Sequence, residues 1–206
     1  MTITLENIGK RFNREWIFKK IKTEIKPLSS VAIIGPNGSG KSTLLQIISG
    51  SLLPSSGKIY FKKGNHSIPD DKMFQHLSFC APYLDIIEDF TLEEFLSFHF
   101  SFKRTDSSVS LSELPEGMQL NHAKTKKIKD FSTGMRQRVK LGICFYSESP
   151  IVLMDEPTTN LDKTGIDWYL SQIERIIPNK TVIISSNSED EFSFCENSID
   201  ILDYKK

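Results

Sequence analysis

The string Gly35-Pro36-Asn37-Gly38-Ser39-Gly40-Lys41-Ser42 fits the phosphate-binding loop G-x-x-x-x-G-K-[ST]. Its neighbours suit it. Upstream, Val31–Ile34 is a short apolar, β-branched run of the kind found in buried parallel strands. Downstream, Ser42–Ile48 reads as a helix that stops at Gly50. A strand, a glycine loop and a helix N-terminus together form an anion site, because successive backbone N–H groups point inward and the helix dipole adds positive potential. The glycines let the backbone approach phosphates closely. In this reading Gly35 through Thr43 line a nucleotide, Lys41 reaches its β- and γ-phosphates, and Ser42 ligates Mg²⁺.

A second string supplies the other half of such a site. Ile151–Met154 is an apolar run that ends in Asp155-Glu156, the Walker B pattern. A carboxylate at the end of a buried strand is placed to hold Mg²⁺ directly or through water, which is the role read for Asp155. Glu156, one residue further out, is the candidate general base to polarise the attacking water. Many strands end in acidic residues, so the string gains its meaning from the phosphate loop in the same core.

Around these motifs buried strands alternate with helices. Val31–Ile34, Leu77–Cys80, Ile151–Met154, Thr181–Ile184 and Ile199–Leu202 read as strands, the last closing the sheet. Thr91-Leu-Glu-Glu94 is a capping box that opens a helix with Leu92, Phe95 and Leu96 at core spacing. Met135–Tyr146 reads as a helix with Ser132 as its N-cap, and Lys163–Ile177 as another that Pro178 ends. Ser188–Cys195 reads as a short helix opened by Ser188, with Glu191 in capping-box register. Thr2–Ile8, Ile21–Ile25 and Lys58–Phe61 alternate like half-exposed antiparallel strands. Lys103–Gly117, rich in Ser and polar residues, is the most loop-like segment. The expected fold is α/β: a P-loop NTPase core with a mainly parallel sheet, an antiparallel β subdomain and an inserted helical subdomain. At 206 residues one domain is expected, its core in roughly 1–82 and 150–206 and the helical subdomain in roughly 83–149.

Composition narrows the partners. Lys plus Arg and Asp plus Glu balance at 26 each, so no global charge argues for nucleic acid or an anionic membrane surface. The local cluster Lys124, Lys126, Lys127 and Lys129 reads as a solvated face. Cys80, Cys144 and Cys195 form neither a metal motif nor a disulfide framework, which suits a reducing compartment. The four histidines, His66, His76, His99 and His122, lack ligand spacing. The N-terminus shows no signal peptide, and no apolar run approaches the ~18 residues that span a bilayer. A cytoplasmic location follows, with any work at a membrane needing another chain.

Taken together, these motifs resemble those of an ATP-binding cassette (ABC) ATPase, the nucleotide-binding subunit of an ABC transporter, over essentially the whole length. Phe131-Ser-Thr-Gly-Met-Arg-Gln-Arg138 resembles the family signature, with Ser132 and Gly134 matching and Thr133 and Met135 departing. The resemblance implies that this helix N-terminus binds the γ-phosphate of ATP held by a second cassette, hence a homodimer or heterodimer. Thr159-Asn-Leu-Asp162 resembles the D-loop that crosses that interface, and Phe12 lies where the family places an aromatic that stacks on adenine. ATP and Mg²⁺ are the implied cofactors, and an integral membrane transporter subunit is the implied partner, with the cassette peripheral at the inner face of the cell membrane.

Two departures bear on turnover. Where the family has a Gln before the helical subdomain this chain has Pro82, which offers no side-chain donor or acceptor. Where the family has a His after the Thr181–Ile184 strand it has Asn187, which can donate to the γ-phosphate without imidazole's charge. Slow basal hydrolysis is therefore expected, and the alternative is an ATP-dependent regulatory cassette with little turnover. The signature and D-loop disfavour a non-transport P-loop enzyme such as a kinase. Finally, Tyr83–Ile87 and the aromatic stretch Phe95, Phe98, Phe100 and Phe102 are expected to leave some ring for a partner, with Phe98 on one face and Phe95 with Phe102 on another.

Overall fold

Unbroken apolar runs build a parallel sheet buried on both faces. The computed structural model describes residues 1–205. In chain order its strands are β1 (Thr2–Phe12), β2 (Glu15–Ile25), β3 (Ser30–Ile34), β4 (Ser56–Lys63), β5 (His66–Ile68), β6 (Leu77–Cys80), β7 (Ile151–Asp155), β8 (Thr181–Ser185) and β9 (Asn197–Asp200). The helices are α1 (Lys41–Ser49), α2 (Leu92–Phe102), α3 (Leu114–Gly117), α4 (Thr133–Tyr146), α5 (Lys163–Ile176) and α6 (Glu189–Phe192).

The parallel sheet has the order β6-β7-β8-β3-β9. Its two faces feed two cores. Val152, Met154, Val182 and Ile184 pack with Val139, Phe145, Tyr169 and Ile173 of α4 and α5. Ile151, Leu153, Ile183, Val31 and Ile33 pack with Leu44, Ile47 and Ile48 of α1 and with Ile3, Leu5 and Phe18 of the second sheet. A one-residue slip of any strand would exchange the two sets, so both faces being buried pins the register.

The second sheet is antiparallel, in the order β2-β1-β4-β5. β1 continues past Ile8 to Phe12. Its pairing shifts register between Leu5 and Ile8, where Asn7 takes a left-handed φ of 53°. This bulge breaks the alternation that ended the strand in the sequence reading.

The helix starts follow side-chain caps. Thr91 and Glu94 form the expected box, the Thr91 amide donating to Glu94 Oε2 at 2.8 Å and the Glu94 amide to Thr91 Oγ1 at 3.3 Å. Ser132 caps α4 by accepting from the Met135 amide at 3.2 Å. Asp162 caps α5 by accepting from the Gly165 amide at 2.7 Å.

Four expectations need correction. Ser188 makes no side-chain cap bond, and α6 is a single turn, because the Glu191 carboxylate is engaged elsewhere. β9 ends at Asp200, whose side chain accepts from the Leu202 amide and turns the chain into a 3₁₀ segment. The Lys103–Gly117 stretch is not all loop: it includes α3, and Leu114 is fully buried. Phe102 does not share the buried face of Phe95. It stacks edge-on with Phe98 at 5.2 Å, and both are exposed. At the last residue of α2 no following turn covers the ring. Among the described residues, no helix is long and apolar enough to cross a membrane.

Candidate functional site

The carboxyl ends of β3, β8 and β7 lie side by side, and each ends in a segment that carries chemistry. β3 runs into the phosphate loop, whose shape demands glycine. Gly40 holds φ at 111°, and a Cβ there would stand 2.4 Å from Ile17 Cγ2 on β2. Gly38, at φ 74°, is exposed and open. The loop hands over to α1, whose N-terminus has no capping side chain, so its first amides are free for an anion. Lys41 is nearly buried, and its ammonium donates to the carbonyls of Gly35 at 2.8 Å and Pro36 at 3.3 Å.

β7 delivers Asp155 beside this loop. In the parallel register Asp155 pairs with Ser185 of β8. Burial pushes the Asp155 carboxyl above its usual range, while the neighbouring Ser42 and Ser185 side chains and the nearby Lys41 charge act in the opposite sense. Asp155 Oδ1 and the Ser39 and Ser185 hydroxyls are buried with no satisfying partner of their own. Orphaned buried oxygens of this kind call for a bound group. Mg²⁺ fits: it takes few protein ligands, one carboxylate and a hydroxyl, and keeps phosphate oxygens and water for the rest. Ser185 was missed at the sequence level. The signal was available, since both Ile151–Met154 and Thr181–Ile184 end in a polar residue at the same level.

Glu156 follows directly, with a left-handed φ of 43°, a conformation uncommon outside glycine. Its amide donates to the Ser185 carbonyl at 2.8 Å. Asn187, just beyond β8, donates from Nδ2 to Asn37 Oδ1 of the phosphate loop at 3.0 Å. The fold thus gathers Lys41, Ser42, Asp155, Glu156, Asn37 and Asn187 at the carboxyl end of the parallel sheet. Phe12 stands 48% exposed at the β1–β2 turn, with the Lys10 ammonium 5.1 Å over its ring.

Ser132 and Gly134 are not part of that cluster. With Thr133 and Met135 they line a separate cleft of about 400 Å³, closed by Arg138, Asn160 and Asp162. A Cβ at Gly134 would stand 3.0 Å from the Asn160 carbonyl, so any larger residue would have to push that backbone aside.

Pro82 is exposed past the end of β6, and its carbonyl accepts from Lys140 of α4 at 3.0 Å. Its neighbour Tyr83 turns toward the phosphate site. Burial raises the Tyr83 phenol, the Gln46 side chain of α1 opposes the rise, and the Asp155 charge adds to it. Tyr83 is half exposed and lies edge-on to Phe79 of β6.

A phosphate loop before α1, a carboxylate at the end of an adjacent strand and an added antiparallel sheet define a P-loop NTPase fold with a helical insert. The sequence profile described as ABC transporter matches residues 18–159. The chain belongs to this family. It is 32% identical over 179 residues to ABC transporter A family member 11 of Dictyostelium discoideum, covering 82% of this chain and 21% of that protein. It is 28% identical to the probable sulfate/thiosulfate import ATP-binding protein CysA of Chlorella vulgaris, covering 97% and 86%, and 29% identical to the maltose/maltodextrin import ATP-binding protein MalK of Mannheimia succiniciproducens, covering 97% and 55%. Among solved structures, the dimeric post-hydrolysis state of the ATP-binding cassette MJ0796 bound to ADP and Pi superposes with a TM-score of 0.82 at 25% identity, covering 96% and 93%. Membership makes ATP, with Mg²⁺, the ligand of the site.

Proposed function

We propose that the chain is the ATP-binding and ATP-hydrolysing subunit of an ABC transporter, acting as a homodimer or heterodimer of cassettes on a separate integral membrane subunit at the inner face of the cell membrane. The observation that carries this reading is the meeting of Lys41, Ser42, the orphaned Asp155 carboxylate and Glu156 at the carboxyl end of the parallel sheet. Ser42 and Asp155 would hold Mg²⁺, whose charge would stabilise the phosphate oxygens. Lys41 and the α1 amides bind the triphosphate, Phe12 stacks on the adenine ring, and Glu156 orients water and takes its proton. Asn187 leaves Asn37 for the γ-phosphate. The cleft of Ser132 and Gly134 takes the ATP of the second cassette, so dimer closure completes both sites. The membership and the dimeric relative support this arrangement. Phosphate release by the purified chain with MgATP tests it, and no release above the Glu156→Gln background would refute it.

Turnover of the isolated subunit is expected to be slow. Asn187→His should raise it, and Pro82→Gln should add to the gain. If neither change raises the rate, alone or together, the two departures do not limit hydrolysis.

The membrane subunit docks on the rings that α2 leaves exposed. Phe74, Phe98 and Phe102 border a groove of about 400 Å³ with Arg104 and Glu148 at its rim. Aromatic anchors often contribute ~2 kcal/mol or more each. Phe98→Ala and Phe102→Ala should weaken a membrane pull-down while nucleotide affinity stays level. A lowered melting temperature with an undiminished pull-down would assign these rings to internal packing.

A further inference from the structure

Glu191 is 5% exposed and has no cationic partner among the described residues. Burying a carboxylate is costly unless hydrogen bonds compensate it. Here Oε1 accepts from the Thr158 amide at 2.8 Å and from the Thr158 hydroxyl. The backbone of Glu191 is itself anchored, since its carbonyl accepts from the hydroxyl of Tyr169, a fully buried residue of α5, at 3.0 Å.

The positions of these bonds give them meaning. Two cross-links join the segment after β7 to the last residue of β8 and the segment beyond it. The first is the Glu156 amide to the Ser185 carbonyl at 2.8 Å. The second is Thr158 to the Glu191 carboxylate. Glu156 begins one bracketed stretch, and Asn187 lies within the other. The turn is continued by the Thr159 amide donating to the Glu156 carbonyl at 3.2 Å and the Leu161 amide to the Thr158 carbonyl at 2.9 Å. From α4, Gln137 Nε2 donates to the Pro157 carbonyl at 2.7 Å. Glu156 needs this support, because its left-handed backbone persists only where its surroundings over-determine it.

We propose that Glu191 is a positioning residue for hydrolysis: by clamping Thr158 it locks the turn that carries Glu156 to the segment that carries Asn187, so the two approach the γ-phosphate as one unit. The assignment rests on the proposed function above. The partners of the Glu191 carboxylate are the Thr158 amide and hydroxyl.

The test compares Glu191→Ala, Glu191→Gln and Thr158→Val in MgATP turnover and in MgADP calorimetry. Misplacing a catalytic group by about 1 Å costs up to ~100-fold. Glu191→Ala should lower kcat ~10- to 100-fold with KM and MgADP affinity unchanged. Glu191→Gln, whose amide oxygen still accepts both Thr158 donors, should restore most of the rate. Thr158→Val, which keeps the amide and loses the hydroxyl, should fall between them. An undiminished kcat in Glu191→Ala overturns the proposal, as does equal loss in the Ala and Gln variants or a parallel loss of MgADP affinity. Absence of turnover in the unsubstituted chain, or full turnover in Glu156→Gln, overturns the hydrolytic reading itself and the Glu191 assignment with it.

Discussion

Lys41→Ala is expected to weaken MgATP binding roughly 30- to 150-fold, or ~2–3 kcal/mol for charge-assisted bonds to phosphate. Lys41 is the cation at the centre of the loop. It is 5% exposed, and its ammonium is held by the Gly35 and Pro36 carbonyls at the loop's start. Bound phosphate oxygens outcompete those neutral carbonyls for the ammonium. The substitution should leave the fold intact, since it removes two hydrogen bonds to partly buried loop carbonyls and no core contact. Calorimetry on the two forms decides it, and equal affinities would end the assignment of this loop as the triphosphate site.

Glu156→Gln is expected to retain MgATP binding and to lower hydrolysis by ~10²–10⁴, the usual contribution of a general base. The amide keeps the shape of the carboxylate and its hydrogen bond to water, and cannot take the proton. The backbone bond to Ser185 survives, so the strained φ of 43° is still imposed. With ATP bound and not consumed, the closed dimer should accumulate, visible as a shift in size-exclusion elution that appears with MgATP and not with MgADP. A rate equal to that of the unsubstituted chain would exclude Glu156 as the base.

The local parts of the site were legible because their chemistry is contiguous. A loop that must supply amides, a cation and a hydroxyl writes them within Gly35–Ser42. A strand buried on both faces writes itself as an unbroken apolar run, as Ile151–Met154 and Thr181–Ile184 do. Capping residues Thr91 and Ser132 were equally readable, since the N3 amide lies three residues on. Misreadings came where distant partners competed with local ones. Glu191 sits at the right spacing to cap with Ser188, and a box would satisfy one backbone amide. The Thr158 amide and hydroxyl offer its carboxylate two donors, and the long-range pair wins. Phe102 has the heptad spacing of a core ring with Phe95, yet helix periodicity says nothing about where the helix stops.

The chain's sequence alone thus determined the P-loop class, the main buried strands and the longer helices, and the residues proposed to meet phosphate and Mg²⁺, because each depends on neighbours within a few positions. Only the tertiary structure decided which strands adjoin. That adjacency puts Ser185 beside Asp155, joins Asn187 to Asn37, turns Tyr83 toward the site and ties Glu191 to Thr158. These pairs are 30 to 150 residues apart in some cases, as with Thr158–Glu191 at 33 and Asn37–Asn187 at 150. The pairing of two polar groups across such distances is set by sheet order and burial, which no local pattern encodes.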